Sequence, residues 1–304
     1  MLHITQTALE LGFLYALVAM ALFLSYRILD IADLTTDGCF VLGAAVSVTL
    51  AASGHPILAI PAAMLAGMAA GFVTAFLQTR LGVPSILAGI VTNMGLYTVN
   101  LMVMGWSANV SLLKTETIFT MFERAGIGGA WHETLLAGLI TILVGVLLLL
   151  FLGTRLGLSI RATGDNLDMV RASSINPAFT ITVGLCIANA MTALSGAMVG
   201  QYQNAADING GTGIVVIGLA CLIIGETVLG RRTLIKGALA AVIGSVIYRL
   251  IYAIVLYTKI MPVQGLRLIT AIVVALAIAF PTIKNWVLFQ KRKAAARKGG
   301  NHPC

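Results

Sequence analysis

The heptapeptide ADLTTDG at 32–38 gathers Asp33, Thr35, Thr36 and Asp37 within five positions. A second polar run, ADINGGTG at 206–213, carries Asp207, Asn209 and Thr212. Carboxylates, hydroxyls and amides grouped this way have two chemical uses. They cap helix N-termini, or they offer donors and acceptors to a polar solute. Three further residues stand alone in apolar surroundings: Asn93 in ILAGIVTNMGLYTVN, Asn189 in GLCIANAMTALSG and Arg249 in SVIYRLIYAIV. A charge at the centre of a bilayer costs roughly 3 kcal/mol on insertion scales, so such groups face protein or water. Each amide fits an interhelical hydrogen bond or a group lining a pore. Arg249 has three readings: snorkelling to the nearer interface, pairing with Asp207, or contact with a solute carboxylate.

These residues are carried by a chain that is 59% hydrophobic and only 10% charged over its 304 residues. A soluble domain carries about 25% charged residues, so the composition is that of an all-α polytopic membrane protein. Apolar runs near the spanning length of about 20 residues fall at 8–29, 39–53, 56–79, 83–104, 134–153, 178–200, 214–230, 237–258 and 266–284. The expectation is therefore nine transmembrane helices, some broken, since 39–53 and 214–230 are short for a crossing. The first run lacks a basic leader and reads as a retained span rather than a signal peptide.

Basic residues accumulate on the cytoplasmic side. With the N-terminus outside, fourteen of the 19 Lys and Arg residues fall inside, four fall outside, and Arg249 lies within a span. The expected topology is N-out and C-in. The surplus of positive charge is thus a topology signal, not a nucleic-acid surface. The tail 291–304, with KRKAAARKGG, is a cytoplasmic extension suited to anionic lipid. The permease domain proper is 1–290.

Five crossings separate ADLTTDG from ADINGGTG, which puts them on opposite sides. Repeat halves at 8–104 and 178–284, joined by the connector span 134–153, give an inverted 4+1+4 arrangement. Short, Gly-interrupted segments at matching positions of inverted repeats point to a translocation site. The competing reading is two ordinary polar turns. The GxxxG matches GMAAG (67–71) and GAMVG (196–200) permit close helix approach without naming the partner.

The loop 154–177, TRLGLSIRATGDNLDMVRASSINP, is the longest charged stretch between spans. Thr163 or Asp165 is placed to cap a short helix over 166–175, with Leu167, Val170 and Ser174 on one face. Asp168 lies near its N-terminal end, and Arg171 follows three residues later. Such a helix is either a solvated linker or an element that docks in a groove of a soluble partner.

The run R-L-G-x-x-x-R-A-x-x-D-N-x-x-x-x-R-A-S-S-I-N within that loop resembles the cytoplasmic loop of ABC-importer permeases of the branched-chain amino acid and ribose type. ADLTTDG followed by FVLGAA resembles that family's first broken-helix region, and IIGETVLGRRTLIKGALAAVIG its later Gly-rich cytoplasmic turn. Within the family, ADLTTDG and GETVLGRR look most like the uncharacterised branch associated with aromatic amino acid uptake. The resemblance implies a permease homodimer, separate ABC ATPase subunits and an extracytoplasmic substrate-binding protein. It also implies that the loop carries the coupling helix, with Arg161, Asp165, Asn166, Leu167, Asp168, Val170 and Arg171 at the ATPase interface.

Absent motifs narrow the function further. No GxxxxGK[ST] phosphate loop occurs, so ATP chemistry belongs to another chain. No HExxH, no GxSxG and no His–Cys cluster occur either, and the four cysteines are scattered. No cofactor and no metal site are expected. The expected function is a permease subunit of an ATP-driven importer, passing a small polar solute such as an aromatic amino acid. The alternative is an ion-coupled secondary transporter in which Asp33 or Asp207 binds a proton or sodium ion.

Overall fold

A computed structural model describes residues 2–258 apart from 113–114, 125, 127–128, 174 and 231–232, together with 271–272, 274–275 and 279. Helix α1 (Leu2–Leu22) continues into a π-helical turn, Phe23–Ile28, and α2 (Thr36–Ala52), α3 (Pro56–Thr79) and α4 (Ser85–Val103) follow. Strand β1 (Asn109–Ser111) and α5 (Ile118–Arg124) precede α6 (His132–Gly153), α7 (Arg155–Asp165) and α8 (Leu167–Ala172). Then come α9 (Pro177–Gln203), strand β2 (Ala205–Asp207), α10 (Ile214–Leu229) and α11 (Leu234–Thr258).

Six of these helices are long and apolar enough to cross a membrane, and α2 and α10 are shorter apolar helices. Eight of the nine apolar runs in the sequence are thus helical at nearly the expected bounds. The ninth, 266–284, and the tail 291–304 lie largely or wholly outside the described residues. Helix is the form that satisfies every backbone group inside lipid. The starts are built locally: Pro56 and Pro177 open α3 and α9, and the Asn176 side chain accepts from the amides of Ala178 and Phe179. One feature had no warning in the hydrophobic pattern. Strands β1 and β2 form a small antiparallel ribbon, with Asn109 opposite Asp207.

The helices pack reciprocally. Helix α9 lies along α2 and α3, while α1 lies along α10 and α11. The two central helices touch each other antiparallel: Glu10 meets Tyr202, and the Ser195 hydroxyl donates to the Leu14 carbonyl at 2.7 Å. Helix α6 covers α1 from outside, with the Thr141 hydroxyl on the Phe13 carbonyl at 2.8 Å.

Small residues permit this closeness. A Cβ on Gly67 would overlap the Ala193 side chain, and one on Gly71 would stand 2.7 Å from the Leu185 carbonyl. A Cβ on Gly196 would overlap the Phe40 carbonyl, and one on Gly200 would come within 3.1 Å of Val48. Both GxxxG motifs are therefore spent inside the chain, GMAAG of α3 on α9 and GAMVG of α9 on α2. Without a hydrophobic drive between helices in lipid, this backbone proximity is what holds them together.

Gly196→Leu should lower the thermal midpoint of the detergent-solubilised protein, at an overpacking cost of about 1–3 kcal/mol. Gly95→Leu should leave it unchanged, because no atom lies within 4 Å of a Cβ at that position. Equal midpoints for the two variants would contradict the packing described.

Candidate functional site

Helix α2 begins only at Thr36, and α10 begins only at Ile214. Each leaves amide groups at its start without intrahelical partners. Asp37, in the first turn of α2, reaches across to the start of α10. Its Oδ2 accepts from the Gly213 amide at 3.0 Å and its Oδ1 from the Val215 amide at 2.9 Å. One carboxylate thus lies in the first turn of α2 while it bonds to the start of α10, and both are positive ends of helix dipoles. The glycines of ADINGGTG make the approach possible. A Cβ on Gly211 would overlap the Asp37 carbonyl, and Gly213 turns the chain at φ +84°.

Beside this junction lies an open cavity of about 480 Å³ between α2, α4 and the 208–212 segment. Asp37, Asn93, Tyr97, Asn100, Asn209 and Thr212 contribute its polar lining. Asn100 is almost fully buried, and its amide donates to the Gly38 carbonyl at 3.2 Å. Its Oδ1 has no hydrogen-bond partner among the described residues.

The remaining polar residues of ADLTTDG point elsewhere. Asp33, Thr35 and Thr36 are buried against α3 and α9. Asp33 Oδ1 accepts from the Thr35 amide at 2.9 Å, and its Oδ2 accepts from Asn189 Nδ2 at 2.6 Å. The Thr35 and Thr74 hydroxyls lie 2.7 Å apart, and the Thr36 hydroxyl donates to the Asp33 carbonyl at 3.1 Å. These bonds tie the segment leading into α2 to α3 and α9. The second motif repeats its turn: Asp207 Oδ1 accepts from the Asn209 amide, also at 2.9 Å. Both aspartates therefore make an Asx-turn two residues ahead, although Asp207 is exposed and Asp33 is not.

Arg249 joins neither group. Its guanidinium carbon stacks 3.7 Å from the centre of the Tyr15 ring, with Tyr252 further off at 5.7 Å. A cation–π contact between α11 and α1 takes the place of the ion pair with Asp207 that the sequence allowed.

Comparison with known proteins agrees with this architecture. The family described as "Branched-chain amino acid transport system / permease component" matches residues 4–283. The chain is 33% identical over 281 residues to the "Tyrosine transport system permease protein" of Clostridioides difficile (strain R20291), covering 92% of this chain and 91% of that one. An uncharacterized protein of Rickettsia prowazekii (strain Madrid E) is 32% identical over 91% of this chain and 98% of its own length. No solved structure matches. The chain belongs to this permease family.

The permease is a multi-pass protein of the inner membrane and a component of a transport system, not a catalytic enzyme. At the end of the bundle that holds Arg27 and Arg161, the loop expected as one helix over 166–175 is two helices. Helix α7 fills 155–165, the chain breaks at Asn166, and α8 ends at Ala172. The break has a local cause. Asn166, extended at φ −159°, caps α8 by accepting from the Met169 amide at 2.9 Å. The capping role expected of Thr163 or Asp165 falls to Asn166; the Thr163 hydroxyl is 2.8 Å from that of Thr180 on α9. Val170 is buried, Leu167 is an exposed apolar side chain, and Asp168 and Arg171 form an exposed pair at 3.7 Å. Ser174 lies outside the described residues.

Two carboxylates of the permease have partners that the sequence did not indicate. Glu10 is buried in α1 and accepts from Gln6, from Thr134 of α6 at 2.8 Å and from Tyr202 of α9 at 2.7 Å. A lone acid inside an apolar run was the available signal. Glu226 of α10, almost fully buried, pairs with Arg27 of the π-helical turn at 3.2 Å. That pair borders a polar cleft of about 400 Å³ shared with Arg161 and Asp165.

Tyr202→Phe should destabilise the permease by about 1.5–3 kcal/mol, the worth of a hydrogen bond to a charged group. The readout is the thermal midpoint in detergent. An unchanged midpoint would mean that Glu10 does not draw on Tyr202.

Proposed function

We propose that the cavity lined by Asp37, Asn93 and Asn209 is part of the solute path of an ATP-driven importer. The observation that carries this reading is the meeting of two short helices at one polar, open cavity inside an otherwise apolar bundle. Broken helices whose N-termini face a cavity are the membrane solution for handling a polar solute. The solute we favour is an amino acid, with an aromatic one preferred. The tyrosine system of the C. difficile relative and Tyr97 and Met94 at the cavity rim both support that preference.

In this reading the N-terminus lies outside and the arginine-rich end faces the cytoplasm, following the distribution of basic residues. The reciprocal packing of α1 with α10 and α11, and of α9 with α2 and α3, supports inverted repeats. So do the matching Asx-turns at Asp33 and Asp207. A second permease copy completes the path. The cavity is open where Met94 and Tyr97 of α4 are 72% and 51% exposed, a face suited to a partner. Separate ABC ATPase subunits dock at α7 and α8, and a substrate-binding protein delivers solute at the opposite end.

Accessibility tests the path. In Asn93→Cys, a charged membrane-impermeant thiol reagent should label the new cysteine and block uptake of radiolabelled tyrosine at least tenfold. Asn189→Cys, buried against Asp33, should stay unlabelled. Uptake that continues after position 93 is fully labelled would remove the cavity from the path.

Coupling has its own test. Leu167→Asp replaces an exposed apolar side chain of α8 with a carboxylate, and burying an unpaired charge at a docking surface costs several kcal/mol. Stimulated ATP hydrolysis by the assembled complex should be lost, whereas Asp168→Asn should change it little, because exposed pairs contribute about 0–1 kcal/mol. Normal ATPase pull-down and normal transport by Leu167→Asp would make the loop a linker.

A further inference from the structure

The polar chemistry of the cavity is one-sided. Among its described lining residues Asp37 carries the only formal charge, and no Lys, Arg or His is present. The backbone donors that would suit an anion, the Gly213 and Val215 amides, are already engaged by Asp37. An ionised carboxylate has about four acceptor sites, so acceptor capacity remains beside those bonds. Asn100 adds a deeply buried Oδ1 with no partner among the described residues, at a cost that a bound donor would remove. Asn93 Oδ1 lies nearby: a Cβ on Gly38 would stand 2.5 Å from it.

From this geometry we infer that the permease itself recognises the ammonium group of its solute, seating it among Asp37, Asn93 and Asn100. The inference rests on the solute path proposed above. A primary ammonium supplies three donors and a positive charge, which matches a carboxylate beside amide oxygens with no competing cation. A solute carboxylate in the same place faces the Asp37 charge without a cationic partner. The cavity volume of about 480 Å³ falls within the range of roughly 300–1,000 Å³ common for small-molecule sites. Tyr97 and Met94 at the rim offer apolar surface to the rest of the solute. The amino acid therefore enters with its ammonium towards Asp37 and the two asparagines, and its side chain towards Met94 and Tyr97.

Two deaminated or decarboxylated probes separate the contributions. Purified full-length permease in lipid nanodiscs is titrated with L-tyrosine, with tyramine, and with 3-(4-hydroxyphenyl)propionate, read by saturation-transfer NMR. Tyramine, which keeps the ammonium, should bind, and the propionate should bind at least tenfold more weakly. Asp37→Asn should bring the two within about threefold of each other. Asn93→Ala, which does not touch the α10 start, should narrow the gap as well and keeps the test independent of any folding defect in Asp37→Asn. Equal binding of the two probes by the unaltered permease, or no binding of either, would overturn the ammonium site. If that happens while labelled Asn93→Cys still loses uptake, the path stands and only the recognition falls.

Discussion

A helix that starts inside a membrane bundle presents amide groups that neither lipid nor its own backbone can satisfy. This permease starts two such helices, α2 and α10, and answers the second with the side chain of Asp37, which itself stands in the first turn of the first. The arrangement is mutually required. The two N-termini stabilise a carboxylate that would otherwise be costly at this depth, and the carboxylate fixes the distance between the helices. The cavity wall follows from that distance, because Gly211 can lie against the Asp37 carbonyl only while the two starts remain in register.

Around this junction the packing is graded. Helix α9 is buried along most of its length among glycines and alanines of α2 and α3, whereas α3, α4, α6 and α11 each show a largely exposed flank. Backbone-to-backbone contacts at Gly43, Gly67 and Gly196 leave no room for added side chains, so α2, α3 and α9 form the most tightly packed part of the bundle. Closely packed cores of this kind are bistable rather than continuously deformable. Any opening of the cavity is therefore expected along α4 and the 208–212 segment, which bound it on the less packed side.

Much of this was legible in the sequence, and the reasons for the remainder are physical. Apolar length alone located α3 at its observed bounds and most other spans within a few residues, because lipid imposes length and composition together. The polar motifs were also visible. Their division of labour was not, since Asp33 and Asp37 are four residues apart on either side of a helix start and face opposite surroundings. The loop at 154–177 defeated periodicity because α7 and α8 are separated by a single extended residue, Asn166, whose capping role depends on its backbone angle. Arg249 could be assigned no partner from spacing, as its neighbour Tyr15 lies 234 positions away on another helix. The β1–β2 ribbon had no alternating pattern to announce it over three residues a strand.

Four of the carboxylates in or beside the spanning helices, Glu10, Asp33, Asp37 and Glu226, are each compensated differently. Glu10 takes neutral donors from its own helix, α6 and α9. Asp33 takes its own turn and Asn189. Glu226 takes a full ion pair with Arg27. In all three, loss of one partner strands a buried carboxylate, which is why they serve to join helices. Asp37 alone among them lines the large cavity beside α4, with its donors supplied by backbone on one side and open volume on the other. A group that already has its obligatory bonds can exchange water for solute at little cost, since neither partner is then left unsatisfied. Asp37 is thus the acid of the four whose bonds to the fold leave open volume on one side, which is what suits it to the path proposed above.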